Sequence, residues 1–275
     1  MRSAVRAAVP LAALLLAGCG AGSGAGESSG TSAADAVARA AEKSQDVTSV
    51  HYRATGRIPE TGRVSTEAQV SVEPSRARVT TVQSGTSAGR MEFRLVDGVL
   101  YENVADKDVK EVGGRHWVSF GPTAKFTAGG GLKMDVTLLR DQAARNPARD
   151  AAFLAAADDV RRDGTEKVDG AATTHYTGTA TLDALRGWLK EQKKATRTRL
   201  GPGLDEYDRL EVDELTLDVW IGGDDRVKQL RTQGMGRHGE LDLTTVLSYG
   251  KPVTVRAPAA DDTVDLRKRA KDTAR

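Results

Sequence analysis

The sequence predicts an α+β protein built on antiparallel sheet, and three observations carry that reading. Apolar and polar residues alternate along many short stretches, as they do where one face of a strand is buried. Asp-Gly and Gly-rich turns separate these stretches at hairpin spacing. Between an earlier and a later group of such strands, apolar residues recur instead at helical intervals.

The chain opens with Arg2 and Arg6, then an apolar run from Ala7 to Ala17 broken only by Pro10, then Leu16-Ala17-Gly18-Cys19. A charged start, a short apolar stretch and small residues at its end describe an export signal too short to span ~30 Å of hydrocarbon. Residues 1–18 are read as a signal peptide ending in a lipobox. Cys19 is similar to the acceptor cysteine of bacterial lipoproteins, which carries a thioether-linked diacylglycerol and becomes the first mature residue. It is the single cysteine of the chain, so no disulfide supports the exported domain. Residues 19–31, rich in Gly and Ser, read as a flexible tether.

Charge narrows the partners. The 40 Lys and Arg less Arg2 and Arg6 equal the 38 Asp and Glu, so the mature chain is formally neutral. No net basic field is available to displace counterions, and no nucleic-acid partner is expected. No later segment is apolar over the ~18 residues of a spanning helix, so attachment to the membrane rests on diacylglyceryl-Cys19. Aromatic residues are only 4% of the chain, which leaves Val, Leu and Ala to form the core.

A single domain is placed at 32–256. Ser32 and Asp35 have capping-box spacing before a helix over about 33–44. Val50, Tyr52, Ala54, Gly56 and Ile58 then share one strand face, with His51, Arg53, Thr55 and Arg57 on the other. The pattern repeats at Val64–Val72, Ala77–Thr81 and Met91–Leu95. It crosses the Asp97-Gly98 turn to Val99–Val104 and ends at Arg115–Phe120. After Gly129-Gly130-Gly131, Asp135 can cap a helix carrying Val136, Leu138 and Leu139, and Asn146-Pro147 starts another with Phe153, Ala156 and Val160. Strands resume at Thr165, turn at Asp169-Gly170, and lead into a helix with the stripe Leu182, Leu185, Trp188 and Leu189.

Lys190, Lys193, Lys194, Arg197 and Arg199 then precede Gly201-Pro202-Gly203 and an acidic run. The plain reading is a solvated loop whose charges neutralise each other; the functional one is a basic lip facing anionic headgroups. Leu215, Leu217, Val219 and Ile221 mark the clearest strand, followed by Arg226–Gln233 and by Glu240–Tyr249 with Leu241, Leu243 and Leu247. Residues 257–275 read as a charged tail that does not bury.

Two strings match catalytic or cofactor patterns and are set aside. Gly85-Thr-Ser87-Ala-Gly89 has nucleophile-elbow spacing but leads into a strand, whereas the elbow needs a helix; a hydrolase using Ser87 would also need a histidine within hydrogen-bond reach. Gly234-Met-Gly-Arg-His-Gly239 lacks the helix whose N-terminus meets a pyrophosphate. His51, His116, His175 and His238 have no metal-ligand spacing. Neither catalysis, a metal nor a cofactor is expected.

Taken together, Leu16–Cys19, the element order over residues 33–256, and the phrases Leu95-Val-Asp-Gly-Val-Leu-Tyr101 and Val219-Trp-Ile-Gly-Gly-Asp-Asp-Arg-Val-Lys-Gln-Leu230 resemble the mycobacterial LppX/LprAFG lipoproteins. They are also similar to the wider LolA-like half-barrel group. The resemblance implies a curved antiparallel half-barrel sheet of about ten or eleven strands, with helices packed on its concave face and a hydrophobic cavity between the layers. It implies a lipid-anchored protein on the extracytoplasmic face of the cell membrane that binds or carries lipids or other amphiphiles. The expected wall comprises Phe93, Leu95, Leu215, Leu217, Val219, Ile221, Leu241 and Leu243 from strands, with Val136, Leu139, Phe153, Leu185 and Trp188 from helices. The same side chains would equally build a dry core. The alternative is a non-catalytic lipoprotein of this fold that binds an envelope protein through the sheet's outer face or edge.

Overall fold

Alternating stretches become strands at most of the expected positions in a computed structural model of the chain, which describes residues 32–71, 74–84, 89–121, 125–127, 133–135, 140–141 and 143–266. Helix α1 (Ala33–Lys43) starts where Ser32 Oγ accepts the N–H of Asp35 at 3.1 Å, and it buries Val37, Ala40 and Ala41. The first meander follows as β1 (Ser49–Ile58), β2 (Gly62–Ser71), β3 (Arg76–Ser84), β4 (Gly89–Val96), β5 (Val99–Asn103) and β6 (Trp117–Phe120). A separate hairpin pairs β7 (Lys125–Thr127) with β8 (Lys133–Asp135). A 3₁₀ turn over Pro147–Ala151 runs into the short helix α2 (Ala152–Ala155). The second meander is β9 (Arg161–Val168), β10 (Ala171–Thr181), β11 (Val212–Gly222), β12 (Val227–Gly236) and β13 (Gly239–Tyr249), with helices α3 (Leu182–Glu191) and α4 (Lys194–Arg209) between β10 and β11.

Among the described residues, both meanders and a short strand β14 (Thr263–Asp265) belong to one open sheet of 12 strands, ordered β14-β6-β5-β4-β3-β2-β1-β13-β12-β11-β10-β9. The first and last long strands join the halves: β1 pairs with β13 from Val50 opposite Tyr249 to Arg57 opposite Asp242. Such pairing is remote in sequence, and it sets which side chains of the two halves meet.

The structure departs from the sequence expectation in four places. The sheet has 12 strands rather than ten or eleven. One of the additions, β14 (Thr263–Asp265), comes from the segment read as an unburied tail. It lies parallel to β6 with Val264 opposite Val118 and buried, and Asp262 anchors it by accepting the backbone N–H of His116 at 2.9 Å. Asp135 ends a strand instead of capping a helix, and the helical residues described in that stretch are 140, 141 and 143. Finally, the run through Gly201-Pro202-Gly203 is helix α4, not a loop. Pro202 has no N–H to offer the carbonyl of Thr198, a loss of order ~3 kcal/mol in an isolated helix. Burial of Leu200, Gly203 and Leu204 on the domain offsets it.

Two polar groups, Ser44 buried and Glu102 half-buried, make distinct contributions to stability. Ser44, fully buried after α1, donates from Oγ to the Ala40 carbonyl at 2.6 Å and accepts the Val227 N–H at 2.9 Å. Its own carbonyl accepts from Asn146 Nδ2 at 2.7 Å. Three segments thus meet on one residue, and Ser44→Ala, which strands the Val227 N–H, is expected to cost about 1–3 kcal/mol in urea denaturation. Glu102 stands on the apolar face of β5, opposite Phe93 and Val118, and desolvation by burial raises its carboxyl pKa. A carboxyl with a raised folded pKa binds protons more readily in the native state, so it costs stability as pH rises from the unfolded value through the folded one. Glu102→Gln is therefore expected to raise Tm at pH 7 and to leave it nearly unchanged at pH 4; equal effects at both would contradict this.

Candidate functional site

A cavity of about 520 Å³ lies between the sheet and α4. Its floor follows from the register. One row across the sheet reads Leu230, Thr245, Ala54, Thr66 and Thr81, and the next reads Thr232, Leu243, Gly56, Val64 and Gln83. Small and β-branched side chains dominate both rows where five strands meet. Farther along the same face, Val219, Leu217, Leu215 and Val212 are longer or closer to α2–α4 and fill their space: each is buried. The cavity is thus a gap left by side-chain size.

The far wall and rim come from the helical layer. Gly203 and Tyr207 of α4, with Arg145, Pro147 and Asp150, close one end; Pro59, Glu60 and Thr61 of the β1–β2 turn, with Glu206, Arg209 and Leu210, surround the other. Ala54, Ile58, Val64, Leu241 and Leu243 give the lining an apolar stretch between these ends. Gly203 is what lets α4 come so near: a Cβ there would stand 3.3 Å from Arg145 Nη2 and 3.4 Å from both Asp150 Oδ1 and Phe153 Cε2.

The closed end is charged. Arg145 Nη2 donates to Asp150 Oδ2, and Arg149 Nε stands 3.4 Å from Asp150 Oδ1. Burial disfavours the Arg145 cation, but Asp150 and the nearby Tyr207 and Tyr52 outweigh it and raise the Arg145 pKa. Arg149 moves the other way, lowered first by burial and then by the Arg145 charge. Burial pushes the hydroxyls of Tyr52 and Tyr207 up to about 12, so both are neutral at physiological pH. At the open end Glu206 pairs with Arg209 and Glu60 is exposed.

Of the residues expected to form a wall, Leu241 and Leu243 line this cavity. Leu215, Leu217, Val219 and Ile221 are buried along β11, Leu95 in the first meander, Leu185 on the inner face of α3 and Phe153 beneath α4, while Phe93 and Trp188 pack half-buried against that core. Val136, Leu139, Ser87 and Cys19 lie outside the described residues. Tyr52 and Ala54 were visible on the apolar face of β1; Arg145, Asp150 and Tyr207 carried no periodic signal. Gly234–Gly239 forms the β12–β13 hairpin and a strand follows it. The basic residues from Lys193 to Arg199 fall at the start of α4, where the helix dipole disfavours cations.

The opposite face of the sheet carries two open grooves, of about 510 and 560 Å³. The first is mainly polar, with Arg53, Glu67, Arg78, Arg90 and Asp169, and the second sets Arg57, Arg63, Glu240 and Asp242 around an apolar lining. Much of that charge is already paired, as in Arg53–Asp169 at 2.9 Å and Arg231–Asp242 at 2.7 Å. On the same face the imidazole of His175 stacks on Trp220 at 4.3 Å with Nε2 at 2.9 Å from Asp218. Among the described residues no helix is long and apolar enough to cross a membrane.

No protein-family model matches the chain. Two curated relatives do. An uncharacterised 31.2 kDa protein of Streptomyces griseus is 28% identical over 187 residues, covering 66% of this chain and 59% of that one. A Streptomyces coelicolor protein named as a candidate lipoprotein is 29% identical over 185 residues, covering 66% of this chain and 53% of its own length. The chain thus spans somewhat over half the length of the curated relatives it matches. Among solved structures, LprF from Mycobacterium bovis superposes with a TM-score of 0.50 at 19% identity, over 83% of this chain and 97% of that one. The lipoprotein LppX of Mycobacterium tuberculosis gives 0.49 at 16% identity, over 82% and 98%. The resemblance to LppX/LprAFG lipoproteins is met in the fold: the chain has the fold of LprF.

Proposed function

We propose that the protein is a non-catalytic, membrane-anchored lipoprotein that holds one lipid or other amphiphile between its sheet and helices. The observation that carries this reading is the 520 Å³ cavity, which falls in the ~300–1,000 Å³ range of ligand sites and has an apolar stretch between two polar ends. On this reading the sheet curves as a half-barrel, the helices cover its concave face, and Leu241 and Leu243 touch an acyl chain. Burial of that chain contributes ~0.8 kcal/mol per methylene before the cost of ordering it. The signal peptide, the diacylglyceryl group on Cys19 and the tether through residue 31 would place the domain on the extracytoplasmic face of the cell membrane. The lipoprotein name of the Streptomyces coelicolor relative and the LprF fold support this placement.

A second reading, binding of an envelope protein, is favoured by the charged grooves of the other sheet face. Native mass spectrometry with lipid extraction separates the two. The full chain with Cys19→Ser, purified from a lipid-containing host, is expected to carry about one extractable amphiphile. Thr245→Phe, which fills the floor of the cavity, is expected to reduce occupancy at least ~10-fold. A clean apo mass that takes up no added lipid would overturn the carrier reading and favour the protein-binding one.

A further inference from the structure

Resting on the carrier reading, we infer that the cavity selects a single-chain amphiphile with an anionic oxygen head group, bound head-inward against Arg145 and Tyr52. The closed end of the cavity is built for an anion that the chain itself does not fully supply. Two guanidinium groups, Arg145 and Arg149, face one carboxylate, Asp150. The other titratable groups here are Tyr52 and Tyr207, both neutral, while Arg199 adds positive charge near Arg149. Glu206, the acid of α4 that lines the cavity, acts on Tyr207 but is paired with Arg209. An uncompensated cation in a desolvated wall is costly, and an incoming anion removes that cost.

Donors are also free to meet it. A guanidinium carries five N–H groups. Arg145 commits Nη2 to Asp150 and keeps 22% of its side-chain surface, in a residue that lines the cavity. The Tyr52 hydroxyl, neutral and in a residue that lines the cavity, stands close enough to Arg145 for each to shift the other's pKa. A carboxylate or phosphate there could accept from both. Tyr207, by contrast, is already engaged with Thr232.

Length then limits the tail. The floor runs along β1 from Tyr52 through Ala54 to Ile58, or about 20 Å at ~3.3 Å per residue. One leaflet's acyl chains fill about half of a ~30 Å hydrocarbon core. A single chain laid beside Ala54, Val64, Leu243 and Ile58 therefore spans the cavity, with its end at the open rim.

The test is displacement of a fluorescent fatty acid from the delipidated full chain carrying Cys19→Ser, using hexadecanoate, hexadecyl phosphate and methyl hexadecanoate as competitors. Either anion is expected to bind at least ~10-fold tighter than the neutral ester, as charge-assisted hydrogen bonds predict. Preference for the carboxylate over the phosphate, or the reverse, identifies the head. Arg145→Met leaves Asp150 beside Arg149, so no lone charge is buried, and is expected to bring acid and ester within ~2-fold. Should that variant not fold, Tyr52→Phe, which loses only a hydroxyl, is expected to reduce the preference ~3-fold or more. Equal binding of acid and ester by the Cys19→Ser protein would overturn this inference and leave the carrier reading standing; binding of none of the three would overturn both.

Discussion

Gly56→Ala is expected to prevent folding, or to cost more than ~4 kcal/mol in urea denaturation. Gly56 sits at the seam between the meanders, opposite Leu243. Its φ is +153°, and a Cβ added there would stand 1.9 Å from the carbonyl oxygen of Asp242 and 3.0 Å from the Leu243 Cα. Both obstacles are backbone of the paired strand, so relief means parting β1 from β13. Gly170 is the contrast: its φ is +82°, but nothing lies within 4 Å of an added Cβ. Gly170→Ala is limited to the conformational term, about 1 kcal/mol. A loss under ~1 kcal/mol for Gly56→Ala would show that the seam is looser than the register implies.

Phe153→Ala is expected to cost about 3–5 kcal/mol, the range for emptying an aromatic site in a packed core. Phe153 is 0% exposed, meets the Tyr207 ring edge-on at 6.5 Å, and lies under the close approach of α4 at Gly203. It does not line the cavity, so Phe153→Leu, which keeps most of the volume, is expected to retain ligand while losing about 1 kcal/mol. A full-sized stability loss with Phe153→Leu, or none with Phe153→Ala, would contradict its place in the core.

Local pattern accounts for what was legible in the sequence. Alternation along Val50–Ile58 and Leu215–Ile221 marked strands because each has one buried face. Asp97-Gly98 and Asp169-Gly170 marked hairpins because both residues of each pair hold positive φ, at 50° and 79° and at 46° and 82°. What was illegible depends on contacts distant in sequence. Helix α4 survives Pro202 only through burial of Leu200 and Leu204, and β14 exists only because β6 offers it an edge.

The cavity belongs to the second kind. Tyr52 and Ala54 were readable as inward-facing, but nothing local says that Ala54 meets Thr66 on one side and Thr245 on the other. Large apolar residues such as Leu215 and Phe153 fit a wall by their pattern, yet size is what lets them fill space, so the gap opens where residues are small. Arg145 and Asp150 sit in an irregular turn with no period to betray them.

Whether an amphiphile lies between the sheet and α4 can be decided by locating a bromine-labelled acyl chain crystallographically. The Cys19→Ser chain would be loaded with a fatty acid brominated near mid-chain and the anomalous signal mapped. A bromine peak is expected beside Ala54, Val64 and Leu243, with the carboxylate toward Arg145. A peak confined to the groove around His51 and Lys251 on the other face, or a loaded protein with no bromine between sheet and helix, would contradict it.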